Sequence, residues 1–422
     1  MTSETLLEGV NYYSTEKAGF LHGNIILSHG KIKSLEETEG NNGDYIIPGF
    51  VNTHAHVAMS RFRGHLDDMR LDQFLEKTFR LDAQRSEEDI YHSTVAGIYE
   101  MLSNGITSFM DLYYSEDIIY RAVEDMGIRA NLSWNTLDRE FTTQIGDPVD
   151  NCENFISEYG GKNPLIQASA GIQGVYVCSL ETMTGARDIA AKHHTILHMH
   201  ASETRKEVYE FQEKTGKRPV QYMLENDIIR KNTNAAHCVW LNGEEIQKLG
   251  RVGASVSWNS VSNHKLGVGG IPPIPELTEA GANVAIGTDS NGSNNTLNIL
   301  ETAKSGSLSV KNARWDASMI KAGEMLEMLT SHGGKAFGLE KLGTIQEGAP
   351  ADLLILDRDH YSLQPYGNER IASNIVYSMN PSAITGMIIG GKWIKKDGAM
   401  DKEIEKRYRE SARWINTHFS VS

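Results

Sequence analysis

Basic residues are the scarcer charge in this chain: 41 Lys and Arg stand against 55 Asp and Glu, a formal charge of −14 with histidine neutral. Nucleic-acid binding needs a basic footprint to meet the phosphates, so that class of partner is not expected. Cysteine is scarcer still. Cys152, Cys178 and Cys238 are odd in number and far apart, which suits reduced thiols and excludes a disulfide framework or a cysteine-ligated zinc. Any metal must be held by histidine and carboxylate. No apolar run approaches the ~20 residues of a membrane span, and the opening MTSETLLEGVNYY has neither the basic nor the apolar stretch of a signal peptide. The expectation is a cytoplasmic protein with no membrane segment. Low-complexity stretches are also missing. At 40% hydrophobic, the 422 residues can bury a full core, and they exceed the roughly 250 of one α/β barrel, leaving chain for an accessory domain.

What is present is alternation. Eight β-rich segments recur between Asp44 and about Gly338: Tyr45–His56, Ile106–Tyr113, Arg129–Thr136, Pro164–Val175, Thr195–Ala201, Thr233–Trp240, Ala254–Asn259 and Asn283–Asp289. Helix signals fall between them. Ser86-Glu87-Glu88-Asp89 reads as a capping box closed by Asn104-Gly105, and Asn242-Gly243-Glu244-Glu245 opens another helix. Strand and helix alternating eight times predict a (β/α)8 TIM barrel. An open doubly wound sheet would want a Gly-rich phosphate turn after an early strand, and none is present. The two ends resemble each other: Asn24–Leu35 and Ile384–Ile394 are apolar runs broken by a Gly turn, and Ala351–Leu356 adds a further strand. The expected organisation is a barrel over 44–340 and one small β domain assembled from 1–43 and 341–400. A closing helix over 401–422 follows from the spacing of Ile404, Tyr408, Ala412 and Ile415.

Barrels of this kind carry their chemistry at the C-terminal ends of the strands. Here those ends hold histidines and carboxylates. The first strand ends His54-Ala55-His56 and the fifth contains His198-Met199-His200; in each, positions i and i+2 face the same way. His237 closes the sixth and Asp289 the eighth, within Gly287-Thr288-Asp289-Ser290. Three neutral donors and one anion, His54, His56, His200 and Asp289, suit a catalytic divalent ion with one position left for water. Asp289 alone would serve as a helix cap. Glu203, three residues beyond His200, reads either as a first-turn helix carboxylate or as a proton shuttle whose pKa is raised in a closed pocket.

Taken together, Pro48-Gly49-Phe50-Val51-Asn52-Thr53-His54-Ala55-His56, His200-Ala201-Ser202-Glu203, His237-Cys238-Val239-Trp240 and Gly287-Thr288-Asp289-Ser290 resemble the amidohydrolase superfamily. The branch they look like is the S-adenosylhomocysteine/methylthioadenosine deaminase and triazine hydrolase group, which Ser262-Asn263-His264-Lys265-Leu266-Gly267, Ser293-Asn294-Asn295 and Gly348-Ala349-Pro350-Ala351-Asp352-Leu353 also match. The resemblance implies one divalent metal on His54, His56, His200 and Asp289, with zinc expected and iron or manganese as alternatives. It implies catalytic assistance from Glu203 and His237, a composite β-sandwich from the two chain ends, and a homo-oligomer. The reaction it implies is hydrolytic release of ammonia from an aminated heterocycle of the adenine-nucleoside type. The metal acidifies water, Asp289 and His237 orient it and take its proton, and Glu203 protonates a ring nitrogen. The alternatives are dechlorination or dealkylation of s-triazines and, more remotely, a non-catalytic scaffold. The end of the fourth strand, Gly171-Ile172-Gln173-Gly174, has no lysine to bridge a second metal.

Three positions depart from that pattern, all in the expected substrate pocket. Gln173 stands where adenosine-type members carry His, and Asp82 near a family Glu. Trp258, in Ser257-Trp258-Asn259-Ser260, either stacks on a flat ring at the barrel mouth or packs under a loop. The arginine expected to grip a homocysteine carboxylate would align near Pro148, and the nearest arginine of that loop is Arg139.

Overall fold

The computed structural model describes residues 4–69 and 71–418. Eight parallel strands form one sheet: β1 (Phe50–Ala55), β2 (Ile106–Tyr113), β3 (Arg129–Thr136), β4 (Ile166–Ile172), β5 (Leu197–Ala201), β6 (Thr233–His237), β7 (Ser255–Trp258) and β8 (Asn283–Ile286), each paired with its sequence neighbours. β8 returns to β1. Asn52 donates to Thr288 Oγ1 at 2.7 Å and accepts from the Thr288 N–H at 2.9 Å, and the Asp289 N–H donates to the His54 carbonyl at 2.9 Å. These bonds close the barrel beside the residues that matter most. Helices lie between the strands, as alternation requires; the box read at Ser86 forms only as an N-cap, while the one at Asn242 forms completely. Ser86 accepts from the Asp89 N–H ahead of the helix Glu87–Ser103, and Asn242 and Glu245 make a complete capping box.

The chain ends build a second sheet of eight strands. Its core includes Tyr12, Ile25, Leu27, Ile46, Leu353 and Ile388. Its centre is Tyr45–Pro48, parallel to Thr5–Ser14 on one side and antiparallel to Leu353–Leu356 on the other. The first barrel strand expected from sequence, Tyr45–His56, is therefore two strands belonging to two sheets. The break is Gly49: a Cβ there would lie 2.0 Å from Thr107 Oγ1, so only glycine lets the chain pass from one sheet to the other. Thr5–Ser14, which escaped the sequence reading, carries a register irregularity between Leu7 and Val10 that interrupts its alternation.

A buried ion pair joins the two units. Arg129, at the start of β3, holds Asp352 by two bonds of 2.6 and 3.1 Å, and Asp352 also accepts from the Gly390 N–H at 2.7 Å. The helix Lys402–His418 packs on Glu87–Ser103 through Tyr408 on Tyr99, ring centroids 3.9 Å apart, and Trp414 on His92. Among the described residues no helix is long and apolar enough to cross a membrane.

Candidate metal centre and substrate cavity

The C-terminal ends of β1, β5, β6 and β8 meet at one point. His56 Nε2 lies 3.2 Å from His200 Nε2 and 3.5 Å from Asp289 Oδ1; His54 Nε2 is 3.8 Å and His237 Nε2 4.0 Å from the same carboxylate. The outer nitrogens of these rings are tied back. His56 Nδ1 donates to the Leu112 carbonyl at 2.6 Å and His200 Nδ1 to the Gln173 carbonyl at 2.7 Å, while His54 Nδ1 meets His198 Nε2 at 2.9 Å. Each ring therefore presents Nε2 inward, the arrangement that orients a metal-ligating imidazole. His54 Nε2 is fully buried with no hydrogen-bond partner among the described residues. A buried nitrogen lone pair left unsatisfied is costly, and a cation relieves it. Two overlapping triads, His54–His56–His200 and His54–His237–Asp289, have donor atoms close enough together to hold a metal ion.

The electrostatics agree with the donor set. Burial first, and for His54 and His200 the neighbouring imidazoles, hold His54, His56 and His200 below the usual histidine value, which favours the neutral, ligating form. For Asp289 burial works against ionisation, but His56, His237 and a 2.6 Å bond from Ser262 Oγ outweigh it and hold the carboxyl below its usual range. Glu203 goes the other way, pushed up by burial with Asp289 adding and His237 opposing. Burial depresses His237, yet Glu203 and Asp289 raise it overall. Two carboxyls at one site are thus driven apart, one toward the anion and one toward the acid, which is how a site separates a base from a proton donor. Backbone strain gathers here as well. Ser202, His237, Cys238 and Asp289 all have positive φ, between 47° and 73°, a left-handed conformation uncommon for non-glycine residues.

A cavity of about 460 Å³ opens above this cluster, with His56, His200, Glu203, His237 and Asp289 among its lining. Glu203 is not a helix residue. Thr204 caps the helix Arg205–Thr215, and Glu207 supplies the first-turn carboxylate, leaving Glu203 before the cap with its Oε1 3.9 Å from His237 Nδ1. Gln173 lines the cavity just beyond β4, and its amide is engaged on both sides: Oε1 accepts from Asn135 at 2.5 Å and Nε2 donates to the Tyr176 hydroxyl at 2.6 Å. Asp82 also lines it, accepting from the Tyr113 hydroxyl and lying 3.5 Å from the Arg85 guanidinium.

Trp258 is elsewhere, and its expected place at the mouth is corrected. Alternation along β7 turns Ser257 into the barrel, where its hydroxyl meets Thr53 Oγ1 at 2.7 Å, so Trp258 must face the helices. It is fully buried there against Gly306, where a Cβ would come within 2.7 Å of the indole. The position does the bracing that the loop reading assigned to it, with a helix in place of the loop.

Several contributors had no role assigned from sequence. His198 backs His54; Asn263 Oδ1 lies 2.8 Å from His237 Nδ1; Ser262 bonds Asp289. The Ser262-Asn263 dipeptide, four and five residues beyond Trp258, was the available signal. Its meaning depends on which turn of the short helix Ser260–Lys265 faces the mouth. No Lys or Arg lines the cavity among the described residues.

The amidohydrolase family model matches residues 45–394. The chain is similar to a 5′-deoxyadenosine deaminase of Methanopyrus kandleri, 36% identical over 89% of this chain and 87% of the relative. It shares its fold with an adenosine deaminase from Xanthomonas campestris with bound zinc, at a TM-score of 0.89 and 24% identity over 98% of each chain. An atrazine chlorohydrolase from Arthrobacter aurescens, in complex with zinc, superposes with a TM-score of 0.87 at 20% identity, covering 97% of this chain and 99% of the other.

Proposed function

Because the chain belongs to the amidohydrolase family, we propose that it is a metal-dependent hydrolytic deaminase, releasing ammonia from the ring of an adenine nucleoside whose 5′ end is uncharged. The observation that carries this reading is the convergence, on the floor of one cavity, of inward-facing imidazole nitrogens and two carboxyls in opposite environments. The 5′-deoxyadenosine deaminase relative supports the substrate class.

His54, His56, His200 and Asp289 would hold the metal, and zinc is the ion this reading selects, since imidazole and carboxylate suit it and two fold neighbours carry it. When bound, a divalent ion supplies the Lewis acidity that makes water nucleophilic near neutral pH. The protein's own groups handle the protons. Asp289 and His237 orient water against the amine-bearing carbon and accept a proton from it. Glu203, whose protonated form burial favours, gives a proton to the adjacent ring nitrogen, so the ring accepts the electron pair that water's oxygen pushes in. A C–O bond forms, the C–N bond breaks, and the amine leaves as ammonia. Of water's two protons, one departs on the ammonia and the other replaces the one Glu203 gave up.

The test is an ammonia-release screen of metal-loaded enzyme over adenine nucleosides, guanine, cytosine, pterins and s-triazines. Adenine nucleosides should lead. Chloride or alkylamine release from triazines without nucleoside deamination would overturn the proposal.

A further inference from the structure

A second cavity, of about 510 Å³, adjoins the first and shares with it the wall formed by Leu75, Tyr176, Glu203 and Leu266. Glu207 lies in that second cavity, one turn along from Glu203. Its carboxylate accepts from three successive backbone N–H groups: Ser202 at 3.1 Å, Glu203 at 2.9 Å and Thr204 at 3.5 Å. These residues form the turn that carries Glu203 out of β5. The turn is strained at Ser202, with φ 47°, and is joined to the turn after β6, because the Ser202 carbonyl accepts from the Val239 and Trp240 N–H groups at 3.1 and 3.0 Å.

The next capping box shows what is unusual. Glu245 occupies the same position relative to Asn242, but its carboxylate is paired with Arg218 Nε at 2.8 Å. Glu207 has no cationic partner among the described residues, although Arg205 and Lys206 precede it on the same helix. A helix cap requires one bond from the third residue to the cap N–H. Glu207 makes that bond its longest and reserves the shortest for Glu203 itself.

We infer that Glu207 is the positioning residue of the proton donor, holding the Ser202–Thr204 turn so that Glu203 reaches the cavity at a fixed angle while an unpaired carboxyl faces it from behind. The inference rests on Glu203 being the donor. The groups facing Glu203 are His237, Asp289, Tyr176 and Glu207; those facing Glu207 are Glu203, His237, Tyr176 and Cys238. Burial and Glu203 raise Glu207 to about 7. Like charges oppose one another, so the two carboxyls resist being ionised together, and removing the charge of one eases ionisation of the other.

The experiment compares Glu207→Gln, Thr204→Ala and Glu203→Gln in the metal-loaded enzyme, measuring metal content, Tm, KM, and kcat against pH. Glu207→Gln keeps the size of the side chain but replaces one acceptor oxygen with an amide. It should lower kcat by ~10-fold, leave KM and metal content within about twofold, and move the alkaline fall of kcat to lower pH by about half a unit or more. Thr204→Ala removes the other half of the capping box. It should lower Tm comparably while keeping kcat within about twofold and the pH profile in place. Equal losses of kcat in the two variants, or unchanged kcat in Glu207→Gln beside an impaired Glu203→Gln, would overturn the inference alone. Full turnover in Glu203→Gln would overturn the proton-donor reading and this inference with it.

Discussion

A substrate bearing a free carboxylate tests the cavity most sharply, because no Lys or Arg lines it among the described residues. Arg85 and Arg139 are committed elsewhere. Arg85 is bound to Asp89 at 2.9 Å and to Asp82 at 3.5 Å, and Arg139 donates to the Thr142 carbonyl at 3.2 Å. Arg205 and Lys206 line the adjoining cavity. Asp82 and Glu140 put two carboxyls on the wall of the first. A charge-assisted hydrogen bond contributes roughly 1.5–3 kcal/mol, so a carboxylate denied one forgoes about ten- to 150-fold in affinity, at 1.4 kcal/mol per factor of ten. The wall carboxylates add little net repulsion, because the α-ammonium beside the substrate carboxylate leaves that group net neutral. S-adenosylhomocysteine should therefore show a kcat/KM at least ~10-fold below that of adenosine or 5′-deoxyadenosine. The assay is ammonia release from each compound at low and at high salt. Salt should change the gap little, since a net-neutral amino-acid group feels little long-range force from a −14 chain and the missing contact is short-range. A several-fold preference for S-adenosylhomocysteine would refute the argument and direct attention to the Arg205–Lys206 cavity or to a neighbouring subunit.

Three further outcomes are expected. Glu203→Gln should keep about one metal per chain while kcat falls ~10²-fold, whereas His200→Ala and Asp289→Ala should lose metal and activity together, as metal analysis beside turnover will show. Asp352→Ala strands the buried Arg129 guanidinium and should cost ~3–5 kcal/mol in denaturant unfolding, with the paired change Arg129→Met/Asp352→Leu recovering part of it and the folded fraction keeping its KM. Asp111, whose Oδ1 accepts from the Val57 N–H at 2.7 Å, is pushed up to about 8 by burial. Between about pH 4 and 8 the folded chain holds a proton that the unfolded chain has lost, so stability should fall as pH rises through that window and level off above it. Asp111 is coupled to the buried Glu116, which it also raises, so the double variant Asp111→Asn/Glu116→Gln should remove a slope of up to about 1.4 kcal/mol per pH unit for each proton involved, and an unchanged profile in that variant would refute the assignment.

Much of the metal cluster was legible in the chain because its logic is local. In a strand, residues two apart share a face, so His54 with His56 and His198 with His200 had to point together, and a barrel sends the ends of its strands to one mouth. Alternation of strand and helix specified the barrel for the same reason: periods of 2 and 3.6 are properties of short segments. Asp289 and Glu203 were found by their distance from those ends. What tertiary structure decided is whatever depends on a partner distant in sequence. Gly49 divides one apparent strand between two sheets because Thr107 leaves no room for a side chain. Trp258 turns away from the mouth because Ser257 meets Thr53 inside the barrel. Gln173 orients His200 through its backbone carbonyl while Asn135 and Tyr176 occupy its amide, and no spacing in the sequence encodes that. Glu207 looks like any capping glutamate until the turn it holds is seen to carry Glu203. Spacing along the chain determined which groups reach the mouth; contacts between distant segments determined how each is held and which of them a substrate can touch.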